Sequence, residues 1–119
     1  MKDIDFYKER ALAEEKIRSD VFDFTAKYLA VAELRNLAEK HPEVLDRQTV
    51  GLLEELMKHS KFARQRQGFF LFRETSNALG ALIAHCKDME TAHNVLAAFK
   101  RILAAVTEHA HRASSEALG

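Results

Sequence analysis

One proline, Pro42, and four glycines are all that interrupt the 119 residues of this chain. Glycine and proline are the strongest punctuation a sequence has, so long uninterrupted elements are expected. Alanine, leucine, glutamate, lysine and arginine dominate the remainder, and all five favour helix. The chain is therefore predicted to be all-α.

The densest stretch is KFARQRQGFFLFRETSNALGALIAHC, residues 61–86, read as a central helix. At about 100° per residue, Phe69, Phe72, Ser76, Leu79 and Ile83 fall on one face. Leu71, Ala78 and Leu82 form a second stripe beside it, and Arg66, Phe70, Arg73 and Asn77 take the remaining side. A helix with two apolar stripes packs on two sides and belongs in the middle of a stack.

The flanking segments repeat the pattern. A first helix over 3–18 would start at Asp3 as N-cap and carry few apolar positions, with Glu14 and Arg18 as an i,i+4 pair. A second, over 20–40, would be capped by Asp20 and carry two stripes, one of them through Phe24, Tyr28, Val31 and Ala38. His41-Pro42 ends it, because the residue before proline disfavours the α region. A third, over 47–59, places Val50, Leu53 and Met57 on one face and pairs Glu54 with Lys58. After a turn at Lys87-Asp88, a fifth over 89–108 has the buried stripe Ala92, Val95, Leu96, Phe99, Ile102, Leu103 and Val106.

The closing residues, HRASSEALG, read as the start of a sixth helix, because there the chain repeats itself. Arg73 to Gly80 and Arg112 to Gly119 share Arg-x-x-Ser-x-Ala-Leu-Gly at an offset of 39 residues. A period of about 20–50 residues holding one helix pair marks a helical solenoid. Small residues let neighbouring helices approach, and Gly80 is the expected point of close contact.

RETSNALGAL, followed by a short turn and a second amphipathic helix, resembles a HEAT repeat. The resemblance covers about 60–108, begins again at 112, and is weaker over 20–59, where AVAELRNLAEKHPEV keeps the helix–turn–helix rhythm. It implies antiparallel helix pairs stacked as a HEAT/armadillo-like α-α superhelix, with about five helices and the start of a sixth. HEAT proteins are mostly scaffolds and binding surfaces, so the resemblance implies a protein partner rather than a reaction. A solenoid ends in a polar capping helix, which the sixth segment lacks, so 1–119 is read as one domain at the N-terminus of a longer protein.

Net charge is zero, with 18 basic and 18 acidic residues, so no global field recruits nucleic acid or membrane. The single cysteine, Cys86, fits a reducing compartment. Residues 1–20 are charged throughout and do not read as a signal peptide, and no run approaches the ~20 apolar residues of a membrane span. A cytoplasmic location is expected.

Six histidines raise the question of metal. Glu90-x-x-His93 and Glu108-x-x-His111 have di-iron spacing, but their histidines stand 18 residues apart on or at the end of one helix. That is ~27 Å at ~1.5 Å per residue, so they cannot share a metal pair. His109 and His111 diverge around a helix, as do His85 and Cys86. Cys86 falls at a helix C-terminus, where the dipole opposes thiolate formation. No phosphate loop or nucleophile elbow is present, and no catalytic residue, metal or cofactor is expected.

What remains is a basic run, Lys58, Lys61, Arg64, Arg66 and Arg73, interleaved with Phe62, Phe69, Phe70 and Phe72. Lys61, Arg64, Arg66, Phe70 and Arg73 are the candidate partner- or anion-binding patch, with arginines as forks and Phe70 as anchor. The competing reading is a solvated helix face with Phe70 packed under a neighbour and Arg73 structural between layers.

The sequence thus points to a non-enzymatic protein-interaction or scaffold module, an N-terminal accessory domain. Its partner would be another protein or downstream domains of the same chain. The alternatives are a regulatory domain of an enzyme whose catalytic part lies beyond residue 119, and a nucleic-acid-binding HEAT-like domain, which the balanced charge disfavours. Self-association is expected through the C-terminal edge, with Ile102 and Val106 partly exposed, or else fraying beyond about Ala110.

Overall fold

A computed structural model describes the backbone of residues 2–19, 23–61 and 66–118, with side chains over 5–19, 23–59 and 66–108. The described backbone is helical almost throughout: α1 (Lys2–Arg18), α2 (Phe24–Lys40), a 3-10 turn (Pro42–Val44), α3 (Arg47–Lys61), α4 (Arg66–His85) and α5 (Met89–Leu118).

Aspartates start three of these helices. Asp23, rather than Asp20, caps α2 by accepting from the Ala26 amide at 3.1 Å; Asp20 lies outside the described residues. Asp46 accepts from the Thr49 amide at 3.0 Å, and Asp88 from the Thr91 amide at 2.8 Å. Each satisfies an amide that the first helical turn leaves unpaired. α1 begins at Lys2, so Asp3 lies inside it and is not its cap. His41 ends α2 as expected, its amide turned back to the Leu37 carbonyl at 2.6 Å.

Alternate helices are neighbours. α1 and α5 each pack on α3, while α2 packs on α4. α1 also meets α2, and α4 meets α3 and α5. Thus α4 is central, with α2, α3 and α5 around it; α3 likewise meets three helices, and α2 meets α1 and α4. The Cα extents are 60 × 32 × 17 Å, and the shortest leaves room for two helix layers at ~8–10 Å spacing but not a third. Val31, Leu34, Leu37, Leu53, Met57, Leu79, Leu82 and Val95 are at most 2% exposed and form the centre of one core.

A buried glutamate spans each contact between alternate helices. Glu14 of α1 accepts from the Thr49 hydroxyl of α3 at 3.3 Å. Glu74 of α4 accepts from the Tyr28 hydroxyl of α2 at 3.4 Å and has Arg35 Nε 3.0 Å away. Glu54 of α3 holds Arg101 of α5 in a two-pronged fork at 2.8 and 2.9 Å. The i,i+4 pairs of Glu14 with Arg18 and Glu54 with Lys58 also form, at 3.8 and 2.9 Å. Both glutamates are buried, so these pairs are the rims of inter-helix bridges.

Lys27 is buried as well, because its ammonium donates to the Lys16, Ile17 and Ser19 carbonyls at 3.3, 2.8 and 2.9 Å. Those carbonyls close the C-terminal end of α1, where the helix leaves acceptors unpaired and the dipole is negative.

Two further expectations are overturned. The Arg112–Gly119 copy of the motif does not open a sixth helix; residues 111–118 continue α5 without a turn. Gly80 is no point of close approach, since a Cβ built there meets no atom within 4 Å.

Candidate interaction surface

The core face of α4 is Gly68, Leu71, Glu74, Thr75, Ala78, Leu79 and Leu82. This is the expected second stripe, Leu71, Ala78 and Leu82, joined by Leu79 of the expected first face and widened by small and polar residues. Thr75 is tolerated there because its hydroxyl donates to the Leu71 carbonyl at 2.7 Å. The expected first face is displaced: Phe72 and Ile83 are only half-buried, and Phe69 is 59% exposed. Gly68 and Thr75 were the missed signal. Counted as core positions, they complete a 68–71–75–78–82 stripe that turns Phe69 outward.

Arg66, Phe70 and Arg73 lie on one exposed side of α4 at i, i+4 and i+7, as their spacing requires. Phe70 is 38% exposed, so it is not packed away under a neighbouring helix. Its ring meets Phe69 edge-on, with centroids 6.0 Å apart. The Arg73 guanidinium stands over the Phe70 ring, 6.0 Å from its centroid. Neither Arg66 nor Arg73 forms an ion pair among the described residues. The Lys61 side chain and all of Arg64 lie outside the described residues. Lys58 does not belong to the patch: it turns to Glu54 and Glu55 at 2.9 and 3.6 Å, and these carboxylates hold its ammonium above the usual lysine range.

The surface therefore combines two exposed phenylalanines with two arginines that form no ion pair among the described residues, in the first turns of α4. Such a set buries well against another protein: rings supply apolar area and guanidinium groups bind carboxylates.

Elsewhere, Cys86 is half-buried just beyond α4, with its thiol 3.6 Å from the Ile83 carbonyl. Among the described residues no three His, Cys, Asp or Glu side chains converge on a metal-sized site. Among the same residues no helix is long and apolar enough to cross a membrane. The C-terminal edge differs from expectation in detail. Ile102 is buried, whereas Leu96 and Leu103, expected in the core stripe, are 48% and 66% exposed.

No protein-family model, no curated protein and no solved structure matches this chain.

Proposed function

We propose that the chain is a non-enzymatic protein-interaction module on a HEAT-like two-layer helical stack. In this reading the first turns of α4 are its binding surface. The observation that carries it is the exposed Phe69–Phe70 pair with Arg73 over the second ring. Full burial of a phenylalanine side chain is worth about 1.5–3 kcal/mol, and a partner covering these two half-exposed rings recovers the share that the fold leaves in water. The HEAT-like part of the reading is supported by the alternation of neighbours, α1–α3–α5 in one row and α2–α4 in the other. It is also supported by the placement of the RETSNALG motif on the central α4.

The flanking arginines select the partner's chemistry: an acidic segment with an aliphatic or aromatic anchor between its carboxylates. The test is an array of acidic amphipathic peptides probed with the wild-type chain and with Phe70→Ser and Arg73→Glu. Wild type should bind a subset, and each substitution should lower affinity at least tenfold without moving the melting temperature, because both positions are exposed. Equal binding by all three proteins would refute this surface.

A further inference from the structure

The two ends of the helical stack are each apolar and differ in shape. At one end, α1 and α2 enclose a groove of about 260 Å³. Leu12 and Leu29 form its walls, 59% and 61% exposed, and buried Ala13 and Ala30 its floor. Small floor residues give it depth. Leu12 lies about 160° around α1 from Glu14, the residue that faces α3, so the groove opens away from the stack. Glu9, Glu33 and Lys16 sit on its rim.

At the other end, α5 presents a ridge. Val95, Ala98 and Ile102 face the core. Met89, Leu96 and Leu103 recur every seventh residue on the outer side, 70%, 48% and 66% exposed. Leu103 lies about 160° from Arg101, which reaches back to α3, so the ridge too faces away from the stack. Lys100 lies between the two leucines, and Glu108 follows one turn after Ala104.

We propose that these ends bind each other: the Leu96–Leu103 ridge of one copy seats in the Leu12–Leu29 groove of the next. Charge order supports this pairing and fixes its direction. Along α1 the acid, Glu9, precedes the base, Lys16, by seven residues; along α5 the base, Lys100, precedes the acid, Glu108, by eight. With the two helices parallel, Lys100 meets Glu9 and Glu33 while Glu108 meets Lys16. Antiparallel, like charges oppose. Glu9 and Glu33 crowd one another across the groove, and burial followed by the Glu9 carboxyl holds Glu33 above the usual glutamate range. A lysine between them relieves that repulsion. The pairing also carries on the row, since one copy's α1 follows another's α5 as α3 follows α1.

Such a contact joins two different surfaces, so each copy keeps one free end and growth does not stop at a dimer. The contact involves neither Phe69 nor Phe70, and variants of the α4 surface leave it untouched. The test is sedimentation of the full chain from about 10 μM to about 1 mM, the range that covers weak self-association. Weight-average mass should climb past the dimer. Leu103→Asp and Leu29→Asp should each abolish growth, with melting temperatures confirming that both fold. Mixed, they should form a one-to-one heterodimer, because one retains the groove and the other the ridge. Lys100→Glu should weaken association, and adding Glu9→Lys and Glu33→Lys should restore it. A monomer throughout would overturn the proposal. So would a dimer-limited species that survives Leu29→Asp, which would mean that α5 pairs with itself.

Discussion

Two single residues show how far a side chain's role departs from its type. Gly80 sits in the middle of α4 with open space where its Cβ would be. Its backbone needs no left-handed conformation. A glycine so placed only loosens the helix, and Gly80→Ala should raise stability by about 0.5–1 kcal/mol in urea denaturation. A loss of stability would instead restore the close approach that the repeat suggests. Lys27 is the converse case. A lysine on an otherwise apolar face reads as a solvent-reaching side chain, yet it is 7% exposed and joins three carbonyls at the end of α1. Lys27→Met keeps the stem and removes the donors. It should cost about 1.5–3 kcal/mol, the range for hydrogen bonds to a charged group. An unchanged urea midpoint would mean that water serves those carbonyls equally well. Gly80 shows that a shared motif does not bring shared packing. Lys27 was not legible because its partners are backbone atoms, which carry no sequence signal.

Helix extents follow their start and stop signals more faithfully than they follow repeats. His41-Pro42 and the Lys87-Asp88 turn were both legible, the first from the proline and the second from the break in apolar spacing. The sixth helix was inferred from the Arg-x-x-Ser-x-Ala-Leu-Gly echo alone. Between Thr107 and Arg112 there is no glycine or proline and no aspartate to cap a new start. α5 accordingly runs on for 30 residues. At the start of α2 two aspartates compete as caps, and Asp23 rather than Asp20 supplies the carboxylate. A proline at Ala110 separates the two descriptions. Inside a continuous helix, Ala110→Pro removes a hydrogen bond and clashes with the preceding turn, at about 3 kcal/mol locally. Amides over 111–118 should then lose protection from hydrogen exchange, and far-UV dichroism should fall. In a chain that turns at 109–110 the substitution would be nearly silent.

Across the whole molecule, apolar periodicity made the all-α class and the central place of α4 legible, while the polar ties between layers were not. Nothing about Glu14, Glu54 or Glu74 in sequence distinguishes them from surface glutamates. Their partners are 35, 47 and 46 residues away, so the pattern exists only once the layers are assembled. The candidate surface divides similarly: spacing put Arg66, Phe70 and Arg73 on one side, but Phe69 joined them only once the core face was known. The ties have a consequence in acid. Arg101 first, then Lys58, hold the Glu54 carboxyl below the ordinary glutamate value of 4.5. Between that lowered value and 4.5 the unfolded chain binds more protons, so this carboxylate's contribution is complete above 4.5 and lost as pH falls through the folded value. Glu33 works in reverse. Burial, then Glu9, raises it above 4.5, so the folded chain holds the extra proton and stability falls as pH rises through the raised value. Two substitutions should therefore tilt the pH profile in opposite directions. Urea midpoints measured from about pH 3 to about pH 7 should show Glu54→Gln destabilised at neutral pH and less acid-sensitive than wild type. Glu33→Gln should be stabilised at neutral pH and converge on wild type in acid. Parallel profiles for all three proteins would mean that neither the α3–α5 fork nor the α1–α2 carboxylate crowding persists in solution.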